Sequence, residues 1–189
     1  NFSDGDEIGF RAIIMDAAGN TTTGTISATT LVVDQTDPDT PIIELKNSSD
    51  TGIADWDNLT KDDTPTFTLT NLTNTDSVFL KIAVDVATLA TDGSIVVRDV
   101  STSNTKELTP ATHANGTYLV SALAKDVAGN WGLDATKTFV RIDVIPPDVP
   151  NKPDMMGLSD TGFKDNDNIT KTTQPQFIFT GLSATIDSP

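Results

Sequence analysis

The sequence predicts an all-β fold, built as two-sheet sandwich domains in tandem. Three observations predict it. Short runs of β-branched and aromatic residues alternate with polar ones and are bounded by turn residues. The same landmarks return about 110 positions apart, roughly the length of one small sandwich. No segment carries a helical period; only Val84–Leu89 leaves room for a short helical turn.

The repeats set the domain plan. Asp16-Ala17-Ala18-Gly19-Asn20 returns as Asp126-Val127-Ala128-Gly129-Asn130. Val33-Asp34 followed by Pro38-Asp39-Thr40-Pro41 returns as Ile142-Asp143 followed by Pro147-Asp148-Val149-Pro150. The loop Ser49-Asp50-Thr51-Gly52-Ile53-Ala54-Asp55-Trp56-Asp57-Asn58-Leu59-Thr60-Lys61 returns as residues 159–171, both copies reading S-D-T-G-x-x-D-x-D-N-[LI]-T-K. Thr64-Pro65-Thr66-Phe67 returns as Gln174-Pro175-Gln176-Phe177. Residues 1–37 are therefore expected to be the last strands of one truncated repeat. Residues 38–147 form a complete repeat, and 148–189 the opening strands of a third.

Within the complete repeat, Pro41–Leu45 reads as an opening strand whose proline suits a sheet edge. Thr66–Thr70 turns Phe67 and Leu69 inward and its threonines outward. Val78–Val84 is the next strand, and Asp92-Gly93 is a hairpin signal feeding Ser94–Arg98. Gly116–Lys125 is the strongest strand, with Tyr118, Val120, Ala122 and Ala124 on one face; Thr138–Ile142 closes the domain. About seven short strands in this length is the rhythm of an immunoglobulin-like sandwich. Tyr118 then has two readings, a hydroxyl that pins its strand as a tyrosine corner does, or a plain buried aromatic.

Composition narrows the function. The 37% hydrophobic and 21% charged shares suit a globular chain. A net charge of −15 makes nucleic acid and anionic membrane surfaces poor partners, and no apolar run is long enough to span a bilayer. The chain has no cysteine, so disulfides and thiolate chemistry are excluded. Of its 27 acidic residues only Glu7, Glu44 and Glu107 are glutamate. Aspartate is the residue of tight turns and of short-armed cation ligation, so the bias points to loops and ligands.

The chain from Asn115-Gly116-Thr117-Tyr118 through Ala124–Asn130, then Val140–Pro147 and the S-D-T-G-x-x-x-x-D-N-x-T loop at Ser159–Thr170, resembles the tandem bacterial Ig-like repeats of giant secreted adhesins and biofilm proteins, including RTX-type, type I-secreted ones. The resemblance covers essentially the whole chain. It implies immunoglobulin-like sandwiches, calcium at domain junctions, and a stalk holding a binding tip away from an extracellular bacterial surface. The partners it implies are neighbouring repeats of the same chain, with host or surface glycan or protein met through other domains. Trp56, Trp131 and the density of acid in D-x-D-N depart from the common pattern.

Calcium takes six to eight oxygens at roughly 2.3–2.6 Å, more than one short loop supplies. The expected site is a joint where three segments converge. The loop gives Asp50, Asp55, Asp57 and Asn58, then Asp160, Asp165, Asp167 and Asn168; the linker gives Asp34, Asp37 and Asp39, then Asp143 and Asp148; the D-x-A-G-N turn of the preceding domain gives Asp16 and Asn20, then Asp126 and Asn130. Asp165-Asn166-Asp167 opens like an EF-hand but lacks its central glycine and closing glutamate. The competing reading is that these residues only brace turns.

Catalysis is not expected. His113 is the sole histidine and lies outside any nucleophile motif, and the paired carboxylates fall in the joints rather than in a cleft. Trp56 and Trp131 are expected to pack near the junction rather than to stack on sugar. The alternatives to a stalk are a module that binds glycan or protein directly and an accessory domain of a large secreted enzyme.

Overall fold

The computed structural model describes residues 1–91, 94–100 and 103–182. It divides into two compact units, Asn1–Val144 and Ile145–Pro189.

The first unit opens with a long interrupted hairpin. β1 (Glu7–Ile8) pairs with β4 (Leu31–Val32), and β2 (Ile13–Met15) with β3 (Thr21–Thr23), all antiparallel. Ile13, Ile14 and Met15 stay exposed, because among the described residues no second sheet covers this hairpin.

A sandwich follows, made of β5 (Ile42–Leu45), β6 (Leu59–Thr60), β7 (Phe67–Thr70), β8 (Ser77–Ala83), α1 (Val86–Leu89), β9 (Ile95–Val100), β10 (Thr105–Leu108), β11 (Gly116–Lys125) and β12 (Thr138–Ile142). One sheet has the order β10-β7-β5 and the other β6-β12-β11-β8-β9. Ile43, Leu45, Phe67, Leu69 and Leu108 from the first sheet close on Val78, Leu80, Ile82, Val120, Ala122 and Val140 from the second, forming one core. Alternation predicts this on β7, where Phe67 and Leu69 are buried and the threonines half-buried.

β8 is buried on both faces, which alternation alone does not foresee. Its outward residues are covered by local devices. Phe79 lies 5.0 Å from the Trp131 ring and 5.2 Å from the Arg98 guanidinium. Lys81 pairs with Asp134 at 3.2 Å. Ala83 packs with Leu89 and Leu119 under α1, which Asp85 caps by accepting from Thr88 N at 2.7 Å. The Tyr118 hydroxyl donates to Ala114 O at 2.8 Å, the tyrosine-corner reading. The hairpin signal Asp92-Gly93 lies outside the described residues.

The two ends of β11 orient everything that follows. Gly116 faces Ile142, which in turn pairs with Thr60 of β6. Ser77 faces Lys125 at the other end.

In the second unit, β13 (Asp154–Met155) pairs antiparallel with β14 (Phe177–Ile178), in the register β5 and β7 use 110 positions earlier.

Candidate metal centre

The S-D-T-G loop is built from its own residues. The Ser49 hydroxyl accepts from Thr66 N at 3.0 Å and fastens the loop to the start of β7. Thr51 Oγ1 accepts from Lys61 N, and Gly52 N donates to Leu59 O, so the two arms run side by side. Asp57 closes the tip, accepting from Leu59 N at 3.0 Å and Ala54 N at 3.2 Å. Asn58 adopts a left-handed φ of 57° and donates its N–H to Asp50 Oδ2 at 3.1 Å. Asn tolerates that conformation better than a bulkier residue. The glycine has a steric reason: a Cβ at Gly52 would stand 2.6 Å from Asp57 Oδ1.

The copy at residues 159–171 reproduces this arrangement. Asn168 has φ 58° and donates to Asp160 Oδ2 at 2.9 Å; Asp167 accepts from Ile169 N and Lys164 N; Gly162 lies against Asp167.

One feature of the loop is left over in both copies. Asp50 is 7% exposed and Asp160 6%, yet Oδ1 of each is buried with no hydrogen-bond partner. A buried carboxylate oxygen without a donor is costly, of order 1–3 kcal/mol or more. Burial pushes the Asp50 carboxyl above its usual range, and the neighbouring Asp57 charge adds to the push, although the Asn58 N–H opposes it. Asp57 is held below the usual range, chiefly by the Leu59 N–H.

The D-x-A-G-N turns are different. Asp126 Oδ1 accepts from Gly129 N at 2.7 Å and Asn130 N at 2.8 Å, and Oδ2 accepts from Asn130 Nδ2 at 2.9 Å. Burial alone would raise the Asp126 carboxyl, but the Asn130 and Gly129 bonds outweigh it and hold it low. Asp16 takes a similar set, from Asn20 N, Asn20 Nδ2 and Ala18 N, the last standing where Asp126 uses the glycine N–H, and the Asn20 side chain leads in lowering its pKa.

The three-segment convergence expected near Asp39 does not form. The linker lies at the Lys125 end of the sandwich, where Asp34 O accepts from Asn130 Nδ2 and Asp39 N donates to Thr73 O. The loop hangs beside Arg141–Asp143 instead, with Asn58 O accepting from Arg141 N and Thr60 O from Asp143 N. Arg141 faces Thr117, so the eight steps along β11 from Thr117 to Lys125 put roughly 25 Å between loop and linker. The physical reason is β5: it carries the chain away from the linker before the loop begins. Proximity in sequence stood in for proximity in space.

The remaining predicted ligands are scattered. The Asp34 side chain accepts from Thr36 N, Asp143 accepts from Asn115 Nδ2, and Asp39, Asp55, Asp148 and Asp165 are exposed. Among the described residues no three carboxylate or imidazole groups are close enough to share an ion. What the structure does bring together is Asp50, Asp57 and Asn58, and their copies. Two carboxylates, one with an unpartnered buried oxygen, fit a hard divalent cation whose other ligands are neutral oxygens or water.

Of the two tryptophans expected to pack near the junction, Trp131 does lie at the linker end, between Asn130 and Gly132, and Trp56 does not pack. Trp131 stacks on Phe79 with Lys125 Nζ 4.9 Å from its ring, on the outer face of the larger sheet. Trp56 stands 79% exposed on the loop tip. His113 turns its Nδ1 to Ala111 O and its edge to Tyr118. Asn71 and Asn74, both at positive φ, and Gly132 are functional candidates that the sequence did not single out.

Residues 37–144 match a protein family described as the bacterial Ig-like domain. The match spans more than half of the chain, and the chain belongs to this family. No curated protein matches it. Domains of this family are typically extracellular or surface-exposed. No helix among the described residues is long and apolar enough to cross a membrane.

Proposed function

We propose that this chain is a spacer segment of a bacterial surface adhesin, stiffened by calcium bound in the S-D-T-G loops. A bacterial Ig-like domain is consistent with an extender module at the cell surface. The observation that carries the calcium reading is the unpartnered buried Oδ1 of Asp50, repeated at Asp160. Asp50, Asp57 and Asn58 would hold the ion in the first loop, and Asp160, Asp167 and Asn168 in the second. The ion would supply a divalent charge that offsets the repulsion between the paired carboxylates and gives the orphaned oxygen a partner.

The loop's position supports a mechanical rather than catalytic role. It is hydrogen-bonded to Arg141 and Asp143, where the chain leaves the sandwich. An ion that rigidifies the loop therefore rigidifies the outgoing linker, and each repeat stiffens its own exit. Small-angle scattering of the chain in millimolar calcium and then in excess EDTA tests this. The expected result is a broader distribution of distances and an altered maximum dimension after EDTA. An unchanged distribution contradicts the reading.

A further inference from the structure

We propose that the turn Asp126–Asn130, together with Asn71, Asn74 and Gly132, is a receptor for the backbone of the incoming linker, and that it fixes how the preceding hairpin enters the sandwich. This goes beyond the calcium reading and does not depend on it.

Three asparagine side chains take carbonyls along one stretch of linker. Asn130 Nδ2 donates to Asp34 O at 3.0 Å, Asn74 Nδ2 to Thr36 O at 3.0 Å, and Asn71 Nδ2 to Thr40 O at 2.9 Å. The acceptors are all even-numbered, and in extended chain such groups lie along one edge. The opposite side of the linker is held from the hairpin. Asp4 accepts from Gln35 N and from the Thr36 hydroxyl, each at 2.5 Å. Residues 34–36 are thus clamped between Asp4 and the asparagines.

Each donor is held in place before it meets the linker. Asn130 spends its other amide hydrogen on Asp126 Oδ2, which orients the carboxamide. Asn71 and Asn74 sit at φ 59° and 51°, in a tight turn between β7 and β8. Gly132 lets the next stretch of chain lie flush, since a Cβ there would come 2.7 Å from Pro38 O.

The receptor reads backbone carbonyls, so its partner is defined by shape: an extended, proline-containing segment of the type Asp34–Pro41. Its prolines at 38 and 41 lack N–H groups, which none of these donors requires. The turn Asp16–Asn20 carries the same brace, with Asn20 Nδ2 on Asp16 Oδ2 at 2.8 Å.

Hydrogen exchange of the full chain in EDTA tests the proposal. Asn74→Gly removes one donor while keeping the positive φ accessible, Asn130→Ala removes another, and Gly132→Ala pushes the linker off without removing any donor. In each variant exchange within residues 34–40 is expected to rise about threefold to tenfold, and by more in the Asn74→Gly/Asn130→Ala pair, while β8 and β11 stay protected. Linker exchange that matches wild type in Asn74→Gly and Gly132→Ala, with β8 and β11 protected, overturns it. So does a rise spread evenly over the sandwich, which would make these residues general stabilisers.

Discussion

The sandwich carries two acidic turns that look alike in sequence and differ in how their hydrogen bonds close. At one end, Asp126 has both carboxylate oxygens satisfied by the turn it braces, and the turn's asparagine reaches out to the linker. Toward the other end, Asp50 accepts from Asn58 N with one oxygen and leaves the second buried without a partner. The first is complete as drawn from the chain alone. The second leaves one buried oxygen without a donor, beside the Asp57 carboxyl. Counting aspartates treats the two as equivalent; following each oxygen to its donor separates a brace from a candidate receptor.

The largest expected effect that tests this contrast is opposite signs at the two sites. Hydrogen bonds to a charged group contribute about 1.5–3 kcal/mol, and Asp126 accepts three, so Asp126→Ala should lower stability by at least about 2 kcal/mol in urea unfolding. In calcium-free buffer Asp50→Asn should instead raise stability, by roughly 1 kcal/mol, because it removes a buried charge that is only half satisfied. A loss on Asp50→Asn as large as that on Asp126→Ala would erase the distinction.

A smaller effect appears in the pH dependence, again without calcium. The folded-state pKa of Asp126 is depressed, so its stabilisation is present above the unfolded carboxylate value and is lost as pH falls through the lower folded one. That of Asp50 is raised. Its ionisation opposes folding at neutral pH, and the penalty lifts as pH falls through the raised value. On acidification the advantage of Asp50→Asn over wild type should therefore vanish first. The cost of Asp126→Asn should vanish only at lower pH. The reverse order in paired urea titrations would break the comparison.

Much of the fold was legible because alternation and repeat spacing are local. The Thr–Phe–Thr–Leu pattern placed β7, whereas Tyr118 kept two readings until its hydroxyl was seen on Ala114 O. β6 escaped because two residues inside a polar loop carry no period. β10 escaped because Thr-Lys-Glu-Leu buries only Leu108 and otherwise reads as solvated, its charges paired with Lys46 and Asp99. Lys81 on a buried strand makes sense only once Asp134 is seen beside it.

The loop was legible in the sequence, but the fate of its oxygens was not. The recurrence of S-D-T-G pointed to Asp50 and Asp57, which the fold keeps in one loop, whereas the unpartnered Oδ1 of Asp50 has no sequence signature. Near Asp39 the expected ligands are not brought together, because loop and linker lie toward opposite ends of the sandwich, which strand direction decides and spacing does not. Asn71 and Asn74 went unread because their role is to meet backbone carbonyls 31 and 38 residues away in the chain, and no pattern of side chains signals that.

The most direct test of the central claim is the calcium dependence of thermal unfolding, in wild type, Asp50→Asn, Asp160→Asn and the double variant. A ligand at 100 times its Kd stabilises by about 2.7 kcal/mol, so wild-type Tm should climb steadily with calcium. Asp50→Asn should start higher in EDTA and respond to calcium much less, and the double variant should not respond at all. A calcium response in the double variant equal to that of wild type, or no response in wild type, would contradict the account.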